Sequence, residues 1–235
     1  MTEEISRQRN EAFEKFQKEG GSISWAMLGN TALVEYNPGC FINKWLGELN
    51  IASKLIIEED ADGLGFKLFL QKPGSKRKVN LADEGHGITQ LVSILLNIEC
   101  VIMQGEIDRA SGLDAEYRDW EEFAGNTRTL AIEEPEVSLH PAMQTKLALM
   151  FEDAYKLGVN FIIETHSEYL VRKTQVLVSQ MKDKLKNPFT VYYFTKEGQA
   201  YELGYTDSGN FVKQFGPGFL DEARNLALTV FLGES

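Results

Sequence analysis

Residues 128–141 read RTLAIEEPEVSLHP, and this stretch decides the fold. The apolar run from Thr129 to Ile132 predicts a short buried strand. Two adjacent carboxylates, Glu133 and Glu134, follow directly, at the carboxyl edge of the sheet where α/β folds bind ligands. Neighbouring carboxylates repel each other, so their pairing here calls for an explanation. One explanation is that one carboxylate holds Mg²⁺ while the other orients a water. The alternative is a strand followed by a solvated acidic turn.

A second apolar run, from Phe161 to Thr165, ends at His166. The segment between the two runs carries apolar residues at helical spacing, with Pro141 suited to the first turn and Gly158 to the exit. This pattern predicts strand, helix and strand, and therefore a parallel pair with a right-handed crossover. We expect His166 on the same sheet edge as the acidic pair, although a lone histidine is more often structural.

The third informative stretch is NLADEGHGITQ, residues 80–90. Gly85 and Gly87 free the backbone, and a long apolar helix is predicted to begin near Ile88. A glycine-rich turn that leads into a helix N-terminus suits a phosphate group, because free N–H groups and the helix dipole point at the anion. Many loops hold two glycines, so an ordinary loop is the alternative.

In this order and spacing, the three stretches resemble the C-terminal lobe of an ABC-type ATPase head. The closest likeness is to the bacterial AAA family ATPases that are grouped with SMC, RecF and OLD proteins. The resemblance implies an α/β fold, a P-loop NTPase lobe with a parallel sheet core flanked by helices and an additional β-hairpin region. In this group a signature DxGxGxxQ replaces LSGGQ, and it is matched here by Asp83, Gly85, Gly87 and Gln90.

The resemblance also assigns roles around the first stretch. Thr129 to Glu134 is similar to a Walker B strand, which would make Glu134 the catalytic general base and Glu133 the Mg²⁺ ligand. Pro135 to His140 occupies the D-loop, where Ser138 and His140 would face the nucleotide, and His166 would be the switch histidine. The tail TDSGNFVKQFGPGFLDEA is similar to the C-terminal region of one branch of these proteins.

The cofactors implied are ATP and Mg²⁺, and the implied partner is a second ATPase head or a lobe that carries a P-loop. In the family, two heads sandwich two ATP molecules, so we expect a homo- or hetero-oligomer. Each site combines the P-loop of one head with the signature turn of the other.

Three features depart from the family pattern. Position 133 is Glu where most ABC ATPases have Asp, and position 140 is His where transporters have Asp. No G-x-x-x-x-G-K-[ST] run occurs in the sequence, so the loop that wraps the β-phosphate is missing.

The missing motif leaves three hypotheses. The chain could be one lobe of an ATPase whose P-loop lies on another polypeptide or on a lost N-terminal segment, and it would be an ATP hydrolase only if Walker A is supplied in trans. It could instead be a degenerate head with an assembly or regulatory role, or a gene fragment. Together, Glu134, His166 and the signature favour the first hypothesis.

The sequence predicts a division into residues 1–78, a helix and hairpin region left from the N-terminal lobe, and residues 79–235, the ABC-type C-terminal lobe. A charged helix is predicted at 2–19, a turn at 37–39 and a short helix over Phe41 to Leu49. Lys54 to Glu58 and Phe66 to Gln71 read as a hairpin. Later elements are a helix over Glu168 to Lys186, two strands over Phe189 to Thr195 and Gln199 to Leu203, and a closing helix over Asp221 to Leu232.

Composition limits the classes of function. Twenty-four basic against 35 acidic residues give a net charge of −11, which argues against broad nucleic-acid binding except through the complex. Two isolated cysteines and a charged N-terminus favour a reduced, cytoplasmic setting. Leu91 to Met103 looks too short and too interrupted to span a bilayer, so no membrane partner is expected.

Two charged stretches have no assigned role. The acidic stretch over Gln104 to Thr127 reads as irregular, either a mobile surface insertion or a partner contact. Lys182, Lys184 and Lys186 form either a small basic patch or a solvated helix face.

Overall fold

The computed structural model describes residues 33–35, 40–59, 65–111, 128–183, 186–217, 219 and 221–232. The predicted helix at 2–19, the turn at 37–39 and most of the acidic insertion lie outside these ranges. The chain divides into two compact units, Met1–Leu139 with Asp153–Ile163 and His140–Glu152 with Glu164–Ser235. The division predicted between residues 78 and 79 concerns family lobes and stays a prediction.

The first unit contains a four-stranded antiparallel sheet in the order β1-β2-β3-β4. Its strands are β1 (Leu33–Glu35), β2 (Lys54–Glu59), β3 (Phe66–Gln71) and β4 (Lys78–Asn80). Leu55 pairs with Leu70 and Lys54 with Gln71, so the predicted hairpin is confirmed. The turn after β3 closes where the amide of Lys72 donates to the Arg77 carbonyl at 3.0 Å, which leads the chain into β4.

Helix α1 (Phe41–Glu48) buries an apolar face that includes Phe41, Ile42 and Trp45. Its first turn is capped from a distance, because the buried carboxylate of Glu99 accepts a hydrogen bond from the Ile42 amide at 2.9 Å. Burial and the nearby Glu99 raise the pKa of the Cys40 thiol to about 12, so this cysteine stays neutral. The predicted helix is therefore confirmed and fixed to the core.

Helix α2 (His86–Ser111) is the longest element described. Leu91, Leu95 and Ile98 are fully buried, while Ser93 and Asn97 lie on an exposed stripe. The predicted start near Ile88 is confirmed to within two residues, and the glycine-rich turn supplies the first helical residues. An irregular stretch was also predicted from Gln104 to Thr127. This was wrong for residues 104–111, which belong to the helix.

The length of α2 changes the membrane argument. His86–Met103 is long and apolar enough to cross a membrane by length and composition, and half of it is buried inside the structure. The judgement that Leu91 to Met103 is too short concerned only part of this helix, which begins five residues earlier. A core helix that is buried against its own domain has the same composition.

Strands β5 (Arg128–Glu133) and β6 (Val159–Glu164) are hydrogen-bonded neighbours. Helix α3 (Pro141–Tyr155) connects them. Gly158, in the short turn between the helix and β6, has a φ of +90°. The predicted parallel pair is confirmed. The prediction that β5 is buried was wrong, because alternate residues from Thr129 to Glu133 are exposed.

The second unit contains helix α4 (Glu168–Gln180), the antiparallel strands β7 (Tyr192–Phe194) and β8 (Ala200–Glu202), and helix α5 (Glu222–Leu232). An edge-to-face contact joins the hairpin to the segment that follows it, with the ring centroids of Tyr193 and Phe215 5.7 Å apart. Within that segment, the rings of Tyr205 and Phe211 lie 4.9 Å apart. Burial raises the pKa of Tyr205 to about 12.

Helix α4 ends earlier than predicted. Met181 is extended, so Lys182 and Lys186 follow the helix and cannot form one of its faces. Lys186 instead lies 3.5 Å from Asp183 on the surface. Lys184 lies outside the described residues, and the reading of a solvated helix face was wrong.

The capping of α1 by Glu99 can be tested by substitution. In Glu99→Ala the Ile42 amide loses its acceptor inside the core, and we expect the free energy of unfolding to fall by about 2 kcal/mol. Urea unfolding followed by circular dichroism measures the change. Ser93→Ala, on the exposed stripe of the same helix, is the control and should change little. Equal stability of the two variants would contradict the capping role.

Candidate active site

The signature turn begins in a short 3₁₀ turn, Leu81–Asp83. Asn80 caps this turn through its side-chain oxygen, which accepts from the Ala82 amide at 3.0 Å. The next residue, Glu84, forms an ion pair with Lys72 from the turn after β3. Asp83 is exposed. The turn is therefore held at both sides, and its signature aspartate faces solvent.

The N-terminus of α2 follows at once. The amides of Ile88 and Thr89 donate to the Gly85 carbonyl at 3.0 and 3.2 Å, so the helix is wound from its first turn. Its first turn carries no acidic side chain, and Gly85 is exposed with open space around it. The partial positive charge of this helix end is therefore accessible to an anion.

The acidic turn after β5 has an unusual backbone. Glu134 and Ser138 have φ values of +43° and +59°, in the left-handed region that costs a non-glycine residue roughly 1 kcal/mol or more. Two backbone hydrogen bonds close the turn. The Val137 amide donates to the Glu134 carbonyl at 3.1 Å, and the Leu139 amide donates to the Glu136 carbonyl at 3.0 Å. Glu133 and Glu134 are both exposed residues.

The first unit brings the signature helix and the acidic turn together. The side-chain nitrogen Nε2 of Gln90 donates to the Glu134 carbonyl at 3.1 Å. Gly87 is buried against the same turn, and a Cβ added there would lie 2.5 Å from the Ser138 carbonyl oxygen. The two stretches, 44 residues apart along the chain, therefore form one assembly of backbone and side chain.

The Mg²⁺ expectation was tested against the donors present. Among the described residues, no group of three or more His, Cys, Asp or Glu side chains is close enough to hold a metal. Glu133, the last residue of β5, is exposed and followed by the exposed Glu134. Mg²⁺ is commonly held by one or two carboxylates together with waters and substrate phosphates. The residues therefore fit a metal that arrives with a nucleotide.

The second unit holds the two predicted histidines. His140 uses its ring, whose Nδ1 accepts from the Ala142 amide at 3.2 Å, to cap the start of α3. His166 is exposed in the loop that follows β6. Ser167 fixes this loop, since its hydroxyl donates to the Gln144 side chain at 2.6 Å and accepts from the Leu170 amide at 3.1 Å. The nucleotide roles of both histidines stay predictions.

Sequence reasoning missed several residues that shape the site. Gln144 and Thr165 brace the loop of His166, the latter by accepting from the Ser167 amide at 3.0 Å. Lys72 braces the signature turn. A capping pattern, serine followed by a helix, could have identified Ser167. The long-range contacts of Lys72 and Gln144 have no local signal in the sequence.

Comparison with known proteins gives one family. The sequence profile described as "AAA ATPase domain" matches residues 1–171, which contain all three informative stretches. Among curated proteins, none is significantly similar in sequence to this chain. The resemblance to an AAA family ATPase is confirmed by the family match.

Fourteen chains of known structure also match. One belongs to work on the structural biochemistry of ATP-driven dimerization and DNA-stimulated activation of SMC ATPases. It is 8% identical, with 81% of this chain and 97% of that chain covered and a TM-score of 0.37.

The close packing of Gly87 gives a sharp test. Gly87→Ala would place a methyl group against the Ser138 backbone, and we expect a loss of about 1–3 kcal/mol in the free energy of unfolding. An alanine inside a helix otherwise stabilises it relative to glycine. Gly85→Ala is the matched control, because nothing lies within 4 Å of its Cβ position. Urea unfolding of both variants decides, and equal midpoints would contradict the packing argument.

Proposed function

Because the chain belongs to the AAA ATPase domain family, we propose that it forms one lobe of an ATPase head. The lobe contributes to a composite site that binds and hydrolyses ATP, and the P-loop comes from outside residues 1–235. Binding of ATP draws two heads together, and hydrolysis releases them. The cycle would serve a larger complex, with DNA repair and phage defence as the processes to examine first.

One observation carries this proposal. The hydrogen bond from Gln90 to the Glu134 carbonyl joins the two motifs that an ATPase head needs besides its P-loop. A helix N-terminus open to an anion and an exposed carboxylate pair are thereby held in one unit. This combination supports phosphate chemistry better than a solvated acidic turn, which would need no such bracing.

The proposed chemistry divides between two carboxylates. Glu134 orients a water for in-line attack on the γ-phosphate and accepts its proton. Glu133 would hold Mg²⁺, largely through water, and the ion when bound would neutralise charge on the phosphates. The start of α2 would stabilise the anion of the opposite site through its N–H groups and dipole. His166 would donate a hydrogen bond to the γ-phosphate.

The P-loop partner has a candidate surface in the first unit. Parallel sheets normally have both faces covered, yet Ile162 on β6 is 68% exposed. Ala131 and Glu133 on the neighbouring strand are also exposed. We propose that the lobe carrying the P-loop covers this face when the ATP site forms, in a homo- or hetero-oligomer. Nucleic acid would be reached only through that complex, since the chain carries a net charge of −11.

The first test concerns the general base. The purified chain alone should bind ATP weakly and turn it over negligibly, because the P-loop contacts are missing. Once it is combined with the P-loop-bearing chain or segment, turnover should appear, and Glu134→Gln should reduce it roughly 10²-fold or more. Phosphate release measures turnover, and nucleotide retained on a gel-filtration column should increase in the variant.

Two outcomes would contradict this assignment. Micromolar binding of ATP by the isolated chain would argue against a P-loop supplied from outside. Unchanged turnover in Glu134→Gln would remove this residue from the mechanism. Glu202→Gln, an exposed carboxylate on β8, is the control and should turn over ATP like the wild type. The partner is found by searching the DNA upstream for a reading frame that contains the missing P-loop motif.

The second test concerns the exposed face of the parallel pair. Ile162→Lys should weaken association with the P-loop-bearing chain at least tenfold, because a charge would be buried in the contact. Phe66→Lys is the matched control, since Phe66 is equally exposed, at 68%, on the antiparallel sheet. Sedimentation with and without ATP measures the association. Equal weakening by both variants, or by neither, would place the contact elsewhere.

A further inference from the structure

The hydrogen bond from Gln90 to the Glu134 carbonyl fixes the orientation of the Gln90 side-chain amide. Nε2 donates to the Glu134 carbonyl, while Oε1 is buried and has no hydrogen-bond partner among the described residues. The reversed amide would set two oxygens against each other, so the orientation follows from the contact. A side chain committed in this way to its own lobe is not available to contact a nucleotide on another head.

The carbonyl that Gln90 contacts belongs to the Glu134–Pro135 peptide. Its plane sets the ψ angle of Glu134, whose φ is +43°. A left-handed glutamate relaxes towards ordinary backbone angles unless neighbouring contacts hold it. Among the described residues, the Val137 amide within the turn and Gln90 from outside it both donate to this carbonyl. The direction in which the Glu134 side chain projects from the backbone therefore depends on the hydrogen bond from Gln90.

We propose that Gln90 is a positioning residue that couples two nucleotide sites. This inference rests on the proposed function, in which the signature turn serves the ATP of the opposite head and Glu134 serves the ATP of its own. Gln90 lies on the first turns of α2, and Gly87 packs its backbone against Ser138. Closure of the signature turn on one nucleotide is thereby passed to the backbone of the glutamate that acts on the other.

The first arm of the test needs no turnover. Gln90→Leu keeps the size of the side chain and removes the donor, so amide hydrogen exchange in the turn over residues 134–139 should rise roughly fivefold, the effect of one lost hydrogen bond. Asn97→Leu is the matched control, because its side-chain amide lies on the same helix and donates locally, to the Ser93 carbonyl at 2.8 Å. Exchange measured by mass spectrometry on the full chain decides. Equal exchange in both variants would overturn the proposal.

The second arm uses the chain combined with its P-loop source. Gln90→Leu should lower kcat at least fivefold with KM and ATP-dependent association unchanged, and Gln90→Lys, which restores a donor, should recover part of kcat. A raised KM with unchanged kcat would instead mean contact with the nucleotide and would overturn the positioning role. If the wild type shows no turnover at all, the proposed function fails, and the exchange arm still decides whether Gln90 holds the turn.

Discussion

The burial of helix α2 is the constraint on which the rest of the first unit depends. Its fully buried residues, Leu91 and Leu95 among them, anchor it in the core, where apolar burial is the main favourable term. Further along, Glu99 caps α1, and at the start Gly87 and Gln90 hold the acidic turn. Because one rigid helix carries all these contacts, the positions of the signature turn and of the carboxylates are set by the same core.

The sequence alone predicted the elements of this arrangement better than their junctions. The apolar runs around Glu133 and His166, and the hairpin that pairs Leu55 with Leu70, follow from periodicity and were confirmed as strands. The start of α2 lies two residues before Ile88, although glycine usually marks a turn. Here Gly87 is helical, and its missing side chain allows the Ser138 backbone to approach. Local sequence carries no signal for a close approach of that kind.

The site itself was predictable as a set of residues and not as a geometry. Adjacent carboxylates after a strand are visible in the sequence, whereas the left-handed φ of Glu134 and Ser138 is not, since neither residue favours that region. The contact from Gln90 to the Glu134 carbonyl spans 44 residues and depends on the packing of α2. The roles of Glu134 and His166 came from resemblance to a family, and the family is confirmed by the match over residues 1–171.

The strained turn that contains Glu134 and Ser138 also helps to distinguish an active ATPase lobe from a degenerate head with an assembly role. A head that serves only assembly needs the fold alone. The same fold would have less backbone strain with glycine or asparagine at positions 134 and 138. Strain of this kind persists where surrounding contacts over-determine it, and it gathers at functional sites. In this chain the contacts of Gln90, Gly87 and Val137 all fall on that one turn. We therefore propose that the stabilised, unfavourable backbone at the exposed Glu134 serves chemistry at this residue, which favours the active lobe over a degenerate head.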